Sequence, residues 1–309
     1  MLRPTDSAYP ATSAPVPQIT GATDVYLIIG DPIEQVRAPE SFNRIFALLG
    51  INAVLVPVQV SPAGLTDFVK TVFQSTNIKG LWVTIPHKMP LLGVLDQCSD
   101  LGRAAGAVNA VRRNADGTLE GALFDGEGFL AGLDHDHIAY AGKKVLIVGA
   151  GGAACAIGAS LVLAGGRACA ELAVFDPQPG KAQALAQRLS EAASAKVHAA
   201  ASSDPAGFDL VINASPLGLK AGDPLPVDVS RMQAGAALSD ILMKNQPTPV
   251  LQAVRARGLV AQPGFEMMIQ QTHLYLDFFG FSAAAEQLRQ DSGFLRELIY
   301  PVALHDDIH

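Results

Sequence analysis

Four aliphatic residues, Val145-Leu146-Ile147-Val148, run directly into Gly149-Ala150-Gly151-Gly152-Ala153-Ala154, and a helix of small residues follows. This stretch narrows the possible folds more than any other. A strand, a tight turn with glycine at its first and third places, and a closely packed helix open a βαβ unit shaped for a dinucleotide. Gly149 permits the turn, Gly151 lets the backbone approach a pyrophosphate, and Ala154 lets the helix lie tight on the strand. The free N–H groups at the helix start attract the anion, so Gly149, Ala150, Gly151, Gly152 and Ala153 are the candidate cofactor contacts. Asp176 ends the next strand candidate, ELAVFD, 22 residues beyond Ala154, close to the spacing of about 20 that such units show. A carboxylate there accepts hydrogen bonds from the adenosine ribose and repels a 2′-phosphate. Pro177 stands where a 2′-phosphate would want arginine, and Lys181 is the only nearby cation. The reading is NAD over NADP.

The rest of the chain arranges itself around that unit. With 309 residues, one large or two ordinary domains are expected at roughly 100–200 residues each. Residues 1–20, with four prolines among the first 17 and no apolar core, read as a flexible tail, as does the C-terminal HDDIH. From Val25, strand-like runs (VYLII, AVLVPVQV, GLWVTIP) alternate with helical ones (SFNRIFALLG, LTDFVKTVF), which argues for a mainly parallel sheet covered on both faces. Pro39 is placed to open the first helix and Gly50 to close it; Asp116-Gly117 signals a hairpin. From residue 143, VLIV, ELAVF, DLVINA, ALSDIL and LVAQ are strand candidates, with Ala-rich helices between them. The fold expected is α/β: a Rossmann-type domain over 125–264 and a smaller α/β substrate domain from 21–124 and 265–309.

Composition excludes other classes. The net charge of −7 comes without a Lys/Arg cluster, against nucleic-acid binding, and no run approaches the ~18 apolar residues of a membrane span. Three cysteines without a C-x-x-C pair fit a reducing cytoplasm better than a disulfide framework.

Val83-Thr84-Ile85-Pro86-His87-Lys88 ends a strand run and puts a lysine just past a proline turn. Further on come Gly106-Ala107-Val108-Asn109 and Gly121-Ala122-Leu123-Phe124-Asp125-Gly126. Together these resemble the V-T-x-P-x-K, G-A-V-N and D-G-x-G segments of the shikimate/quinate dehydrogenase family. Gly30-Asp31-Pro32-Ile33 is similar to that family's opening G-x-P-I. Asn213-Ala214-Ser215-Pro216-Leu217-Gly218 resembles its N-A-T-P-x-G segment beside the nicotinamide, and Gly264-Phe265-Glu266-Met267-Met268-Ile269-Gln270-Gln271 its returning helix. The likeness runs from Tyr26 to about Gly280. It implies that Lys88 transfers the proton with Asp125 as its partner, that Thr84, Asn109 and Gln271 hydrogen-bond substrate hydroxyls, and that Asn213, Ser215, Gly264 and Met267 lie at the cofactor. The chemistry is coherent: hydride transfer at an alcohol needs a proton acceptor at the oxygen, and a lysine drawn partly out of water and oriented by a carboxylate can serve.

The pattern also breaks. The family's S-x-S-P stretch, whose hydroxyls hold the substrate carboxylate, here reads Val36-Arg37-Ala38-Pro39. Neither Val36 nor Ala38 can donate, and a buried carboxylate without donors costs several kcal/mol. Trp82, Leu123-Phe124, Met243 and Asn245 replace further polar or proline positions of the family, which implies a more apolar substrate pocket. Arg37, between the two lost serines, could hold a carboxylate bidentately.

The sequence therefore points to a reversible NAD-linked dehydrogenase, monomeric or homodimeric, acting on a small cyclic hydroxy acid or related alcohol. Its rivals are a true shikimate or quinate dehydrogenase that uses Arg37, a methylenetetrahydrofolate dehydrogenase, and a non-catalytic NAD-sensing module. Asp134-His135-Asp136-His137 is read as a solvated linker, not a metal site. His87 is expected to face outward and His273 to be packed or half exposed. Cys155 reads as small-residue packing, although a helix N-terminus can lower a thiol pKa.

Overall fold

The computed structural model describes residues 18–307 apart from 194 and 221; most of the expected N-terminal tail, residues 1–17, lies outside the described residues, as do 308 and 309. Two six-stranded sheets organise the chain. The first is built from β1 (Asp24–Gly30), β2 (Ala53–Gln59), β3 (Ile78–Val83), β4 (Gln97–Cys98), β5 (Ala110–Arg113) and β6 (Leu119–Ala122) in the order β2-β1-β3-β5-β6-β4. β1 pairs in parallel with β2 and β3, while β3–β5 and β5–β6 are antiparallel. The β5–β6 hairpin turns at the Asp116-Gly117 signal, with Gly117 at φ 90° and Thr118 donating to Asp116.

Between β1 and β2 lies α1 (Ala38–Leu48), with proline in its first turn and Gly50 at φ 66° just past its end, the boundaries the sequence marks. Its spacing puts Phe42, Ile45 and Phe46 on one face, and all three are buried against β1, β2 and the C-terminal helices. The opposite face of the sheet is covered by α2 (Leu65–Val72) and the turn Pro90–Val94. α3 (Asp100–Ala105) then precedes β5.

α4 (Asp125–His135) leads into the second sheet, made of β7 (Lys144–Val148), β8 (Glu171–Phe175), β9 (Lys196–Ala199), β10 (Leu210–Asn213), β11 (Ala237–Asp240) and β12 (Val260–Pro263). Every pairing is parallel, in the order β12-β11-β10-β7-β8-β9. α5 (Gly152–Leu163) and α6 (Lys181–Ala192) follow β7 and β8, and α7 (Pro249–Ala256) precedes β12. All five strand candidates of this half form strands; β9 is additional. The order reverses between β7 and β10, and a doubly wound sheet receives its ligand at such a switch point, outside the carboxyl ends of the strands. This is the Rossmann-type arrangement beside a second α/β sheet that the sequence implies.

α8 (Phe265–Phe278), α9 (Ser282–Gln290) and α10 (Gly293–Ile299) then return to the first sheet. α8 serves two interiors: Met267 packs into the second-sheet core, and Phe265, Met268, Ile269 and Leu276 into the first. It lies against α4 so closely that a β-carbon at Gly128 would stand 2.5 Å from the Met267 carbonyl oxygen, and one at Gly132 2.9 Å from Glu266 Cβ. Gly128→Ala should therefore cost about 1–3 kcal/mol through overpacking. A urea midpoint equal to that of the parent protein would show that the two helices can separate freely.

Two expectations are corrected in these regions. Trp82 is no pocket wall: it is 2 % exposed and stacks on Tyr275 and Phe279 at 5.0 and 4.4 Å, part of an aromatic core with Tyr26 and Phe42. The C-terminal HDDIH is not loose along its whole length, since Val302–Asp307 form a 3-10 turn with His305 Nε2 3.3 Å from the Tyr300 carbonyl oxygen.

Candidate active site

Lys88 and Asp125 are 37 residues apart and meet where the two halves face each other. Thr84 N bonds the Ile29 carbonyl, His87 N the Thr84 carbonyl, and Val108 N the Lys88 carbonyl, so the proline turn is tied at both ends. Gly30 is needed at this point, because a β-carbon there would stand 2.5 Å from Thr84 Cγ2. Asp125 is the first residue of α4, where the helix dipole favours a negative charge. Lys88 Nζ donates to its Oδ2, and Asn109 Nδ2 donates to its Oδ1 at 2.9 Å. Asn109 Oδ1 in turn accepts from Phe124 N at 3.0 Å. Asn109 is fully buried and grips the carboxylate from behind. Below it lies Tyr275, whose hydroxyl donates to the Asn109 carbonyl at 3.3 Å; burial and the nearby Asp125 push its phenol well above the ordinary value.

The lysine and aspartate side chains are 17 % and 8 % exposed, so the pair is largely withdrawn from water yet open on the lysine side. With one carboxylate partner and three N–H donors, the ammonium can offer a proton to a ligand oxygen, and the neutral amine can receive one from it. Gln271 lies against Gly128, one helical turn past Asp125. It is 8 % exposed, and among the described residues its Oε1 has no hydrogen-bond partner, which leaves an acceptor for a ligand hydroxyl.

Arg37 and His87 are placed differently from the simplest expectation. Arg37 precedes α1 and its Nη1 lies 3.1 Å from Glu40 Oε2. His87 does not face outward: it is fully buried, with Nε2 2.7 Å from the Val60 carbonyl oxygen. The tight turn from Thr84 swings its ring beneath the sheet edge, which strand alternation does not foretell.

Across the cleft, Gly149 has φ 107°, and a β-carbon there would stand 2.6 Å from the Ala214 carbonyl oxygen, so only glycine fits. α5 starts at Gly152, and a β-carbon on Gly152 would touch Lys88 Cδ at 3.4 Å: the lysine stem reaches the glycine turn. Asp176 closes that turn, its Oδ2 accepting from Ala150 N at 2.9 Å and its Oδ1 from Gln178 N at 2.8 Å. Ala153 completes the first helical turn beside buried Ala154. At the end of β10, Asn213 Oδ1 accepts from Ser215 Oγ at 2.6 Å, and Asn213 Nδ2 donates to Asp240 Oδ1 at 3.0 Å. Asp240 is fully buried; burial raises its pKa, and the hydrogen bonds from Thr248, Leu242 N and Asn213 oppose that. This network, which sequence reading alone does not find, fixes the Asn213–Ser215 loop. Gly264 lets the chain cross Ile241, whose Cα would be 2.7 Å from a β-carbon. Met267, 9 % exposed, follows in α8.

A cavity of about 310 Å³ lies between these walls, lined among others by Lys88, Met89, Gly151, Gly152, Lys181 and Arg188. A positive-φ glycine at the turn, a twelve-residue helix starting at its mouth and a cation-lined cavity suit a dinucleotide. The remaining sequence features are accounted for by packing. Asp134 pairs with Arg167, and Asp136 with His135 and Gln262. Cys155 is 2 % exposed, and burial raises its thiol pKa against the downward pull of Arg188. His273 is half-buried, its pKa lowered by burial and Arg289.

Residues 28–111 match the family described as the shikimate dehydrogenase substrate binding domain. The shikimate dehydrogenase (NADP(+)) of Rubrobacter xylanophilus is 36 % identical over 261 residues, covering 83 % of this chain and 90 % of the relative. That of Acidiphilium cryptum is 36 % identical over 252 residues, covering 79 % and 86 %. Among solved structures, ligand-free 5-ketofructose reductase of Gluconobacter sp. strain CHM43 superposes with a TM-score of 0.76 at 27 % identity, covering 88 % of this chain and 99 % of that one.

The names of these relatives correct the cofactor expectation, because they specify NADP(+) where Asp176 and Pro177 argue for NAD. The physical reason lies in the turn. Both Asp176 oxygens accept backbone N–H groups, so the acid has a structural task of its own and is no reliable sign against a 2′-phosphate.

Proposed function

This chain belongs to the shikimate dehydrogenase family, and from that premise we propose an NADP-linked dehydrogenase that interconverts a ring CH–OH and its ketone, with Lys88 and Asp125 handling the proton. The observation that carries the reading is the Lys88–Asp125–Asn109 chain of hydrogen bonds, set against the glycine turn by the contact between Lys88 and Gly152. Residues 125–264 form the nucleotide half in this reading, with 21–124 and 265–309 the substrate half.

The nicotinamide, when bound, supplies the hydride exchange. The protein's own groups do the rest. Asp125, held by Asn109, keeps the lysine ammonium at one place and in one orientation. Lys88 receives the hydroxyl proton as the neutral amine during oxidation and returns it as the ammonium during reduction, so the ring oxygen never carries a full negative charge in a site poor in water. Thr84 and Gln271 hold neighbouring hydroxyls, the free Oε1 of Gln271 accepting one.

Of the cyclic hydroxy acids and related alcohols that the sequence allows, the substrate in this proposal is a ring alcohol without a carboxylate, not shikimate. Val36 and Ala38 bring no hydroxyl to the wall where the family binds a carboxylate, and the Arg37 guanidinium is engaged by Glu40. A relative of the same fold is named for 5-ketofructose, a sugar without a carboxylate. The second reading, a true shikimate or quinate dehydrogenase, has the relatives' names in its favour and requires Arg37 to leave Glu40. Turnover of shikimate, quinate and neutral ring polyols or ketoses with NADP(H), followed at 340 nm, decides between them. We expect shikimate kcat/KM at least about a hundredfold below that of the best neutral ring substrate, as the loss of two or more hydrogen bonds to a charged group implies. Shikimate as the best substrate, with that activity abolished in Arg37→Ala, would establish the second reading.

A further inference from the structure

A second cavity, of about 450 Å³, lies away from the cleft and shares no lining residue with the one beside the glycine turn. The chain first crosses from one sheet to the other through α4, and the cavity takes a wall from each half: Asp100 and Leu101 of α3 on one side, Ser160 and Leu163 of α5 on the other. Its back is one face of α4, since Glu127, Leu130, Ala131 and Asp134 follow the i, i+3, i+4, i+7 spacing of a helical stripe. Gly128 and Gly132 turn a different face of α4 to α8. Leu163 is 37 % exposed, a large apolar side chain left open to water. Ser160 is buried, and its hydroxyl has no hydrogen-bond partner among the described residues. A β-carbon on Gly126 would stand 2.3 Å from that oxygen, so the hydroxyl sits in the seam between α5 and the first turn of α4, beside the residue that precedes Glu127. A buried polar group of this kind is an exception that a ligand heteroatom can satisfy.

The charges around this cavity do not balance. Arg167 pairs with Asp134 and lies over the Tyr140 ring at 5.1 Å, and Arg103 pairs with Asp100. Glu127 has no ion-pair partner among the described residues. Desolvation by its surroundings raises its pKa, and no neighbouring charge opposes the shift. A metal ion is not the missing partner, because among the described residues no three His, Cys, Asp or Glu side chains are grouped to hold one. We propose that this cavity binds a small organic cation, an amine on an apolar body, with its ammonium at Glu127 and its body against Leu101, Leu130 and Leu163. The volume falls in the range of small-molecule sites, and apolar walls with a few polar groups are their usual lining. Such a ligand touches α3, α4 and α5 at once, so it ties the two halves together while leaving the cleft open.

The test is titration of the full-length protein with 2-phenylethylamine, its neutral counterpart 2-phenylethanol and its anionic counterpart 3-phenylpropanoate. Binding is read by saturation-transfer NMR, with and without excess NADPH, and thermal melts are run alongside. The expected result is a dissociation constant for the amine at least about tenfold below that of the alcohol, as a hydrogen bond to a charged group implies, with the carboxylate weakest of the three. Glu127→Gln keeps the shape of an exposed side chain and should erase the preference for the amine without moving the melting temperature. Leu163→Lys puts an ammonium of the protein's own at the open edge and should weaken the amine by a similar factor; it decides the matter should Glu127→Gln fail to fold. Equal affinity for amine and alcohol in the parent protein, or an amine preference that survives in the folded variants, would overturn the proposal. So would no detectable binding of the amine at about 10 mM. Displacement of the amine by NADPH would overturn it as well, by placing the amine in the cleft.

Discussion

Lys88→Ala lowers kcat by about a thousandfold while leaving the affinity for NADPH within a factor of three. General acid–base catalysis contributes about 10²–10⁴ in rate, and Lys88 is the only cation touching Asp125 among the described residues. Its removal also strips the carboxylate of one of its two side-chain donors, Asn109 being the other. The measurement is single-turnover reduction or oxidation of the best ring substrate from the panel above, with nucleotide binding as the control. A loss below tenfold would move the proton's path to another group. A matching loss of nucleotide affinity would show instead that the lysine stem on Gly152 supports the turn.

The second large effect is on stability. Glu266, 1 % exposed, accepts two bonds from Arg296 at 2.8 and 3.0 Å, with further contacts from Gln270 and the Tyr300 hydroxyl. Arg296 is itself 7 % exposed, so both charges are out of water. The pair ties α10 to the first turn of α8, directly before Met267. Arg296→Met leaves a buried carboxylate with Gln270, the Tyr300 hydroxyl and, at 3.8 Å, His135 as its remaining polar neighbours, and should cost about 3–5 kcal/mol. The double variant Glu266→Gln, Arg296→Met should recover at least half of that, because the uncompensated charge is gone. Urea unfolding of the parent, single and double variants measures both. Equal losses in the single and double variants would mean that packing of the long side chains, not charge, carries the energy.

Much of this molecule is legible in its sequence, for identifiable reasons. The inner strands of the second sheet, β7, β8, β10 and β11, are short runs ending in turn residues, and they are largely buried, as strands covered on both faces must be. α1 announces both ends through Pro39 and Gly50. β9, by contrast, reads Lys-Val-His-Ala; its place at the sheet edge demands little apolar character, so the pattern is silent. Lys88 and Asp125 are chemically suggestive one at a time, but nothing in a local window brings residues 37 apart together, and only the likeness to a family joined them. Asp176 misled because a carboxylate at the end of the second strand serves equally to close its own turn. Arg188 escaped notice because its partner, the Ala105 carbonyl, is 83 residues away. Trp82 and His87 illustrate the limit of substitution logic, since a residue at a pocket position in a pattern can be turned into the interior by its neighbours.

The dual allegiance of α8 has a consequence for how the molecule comes apart. Neither sheet owns a sealed interior: Met267 closes one and Phe265, Met268 and Ile269 close the other from the same few turns of helix. A fragment ending before residue 264 would present raw apolar surface to water, and melting of either half would strip the other. Heating or denaturant should therefore report a single cooperative transition, with fluorescence from Trp82 in one half and far-ultraviolet ellipticity from both changing together.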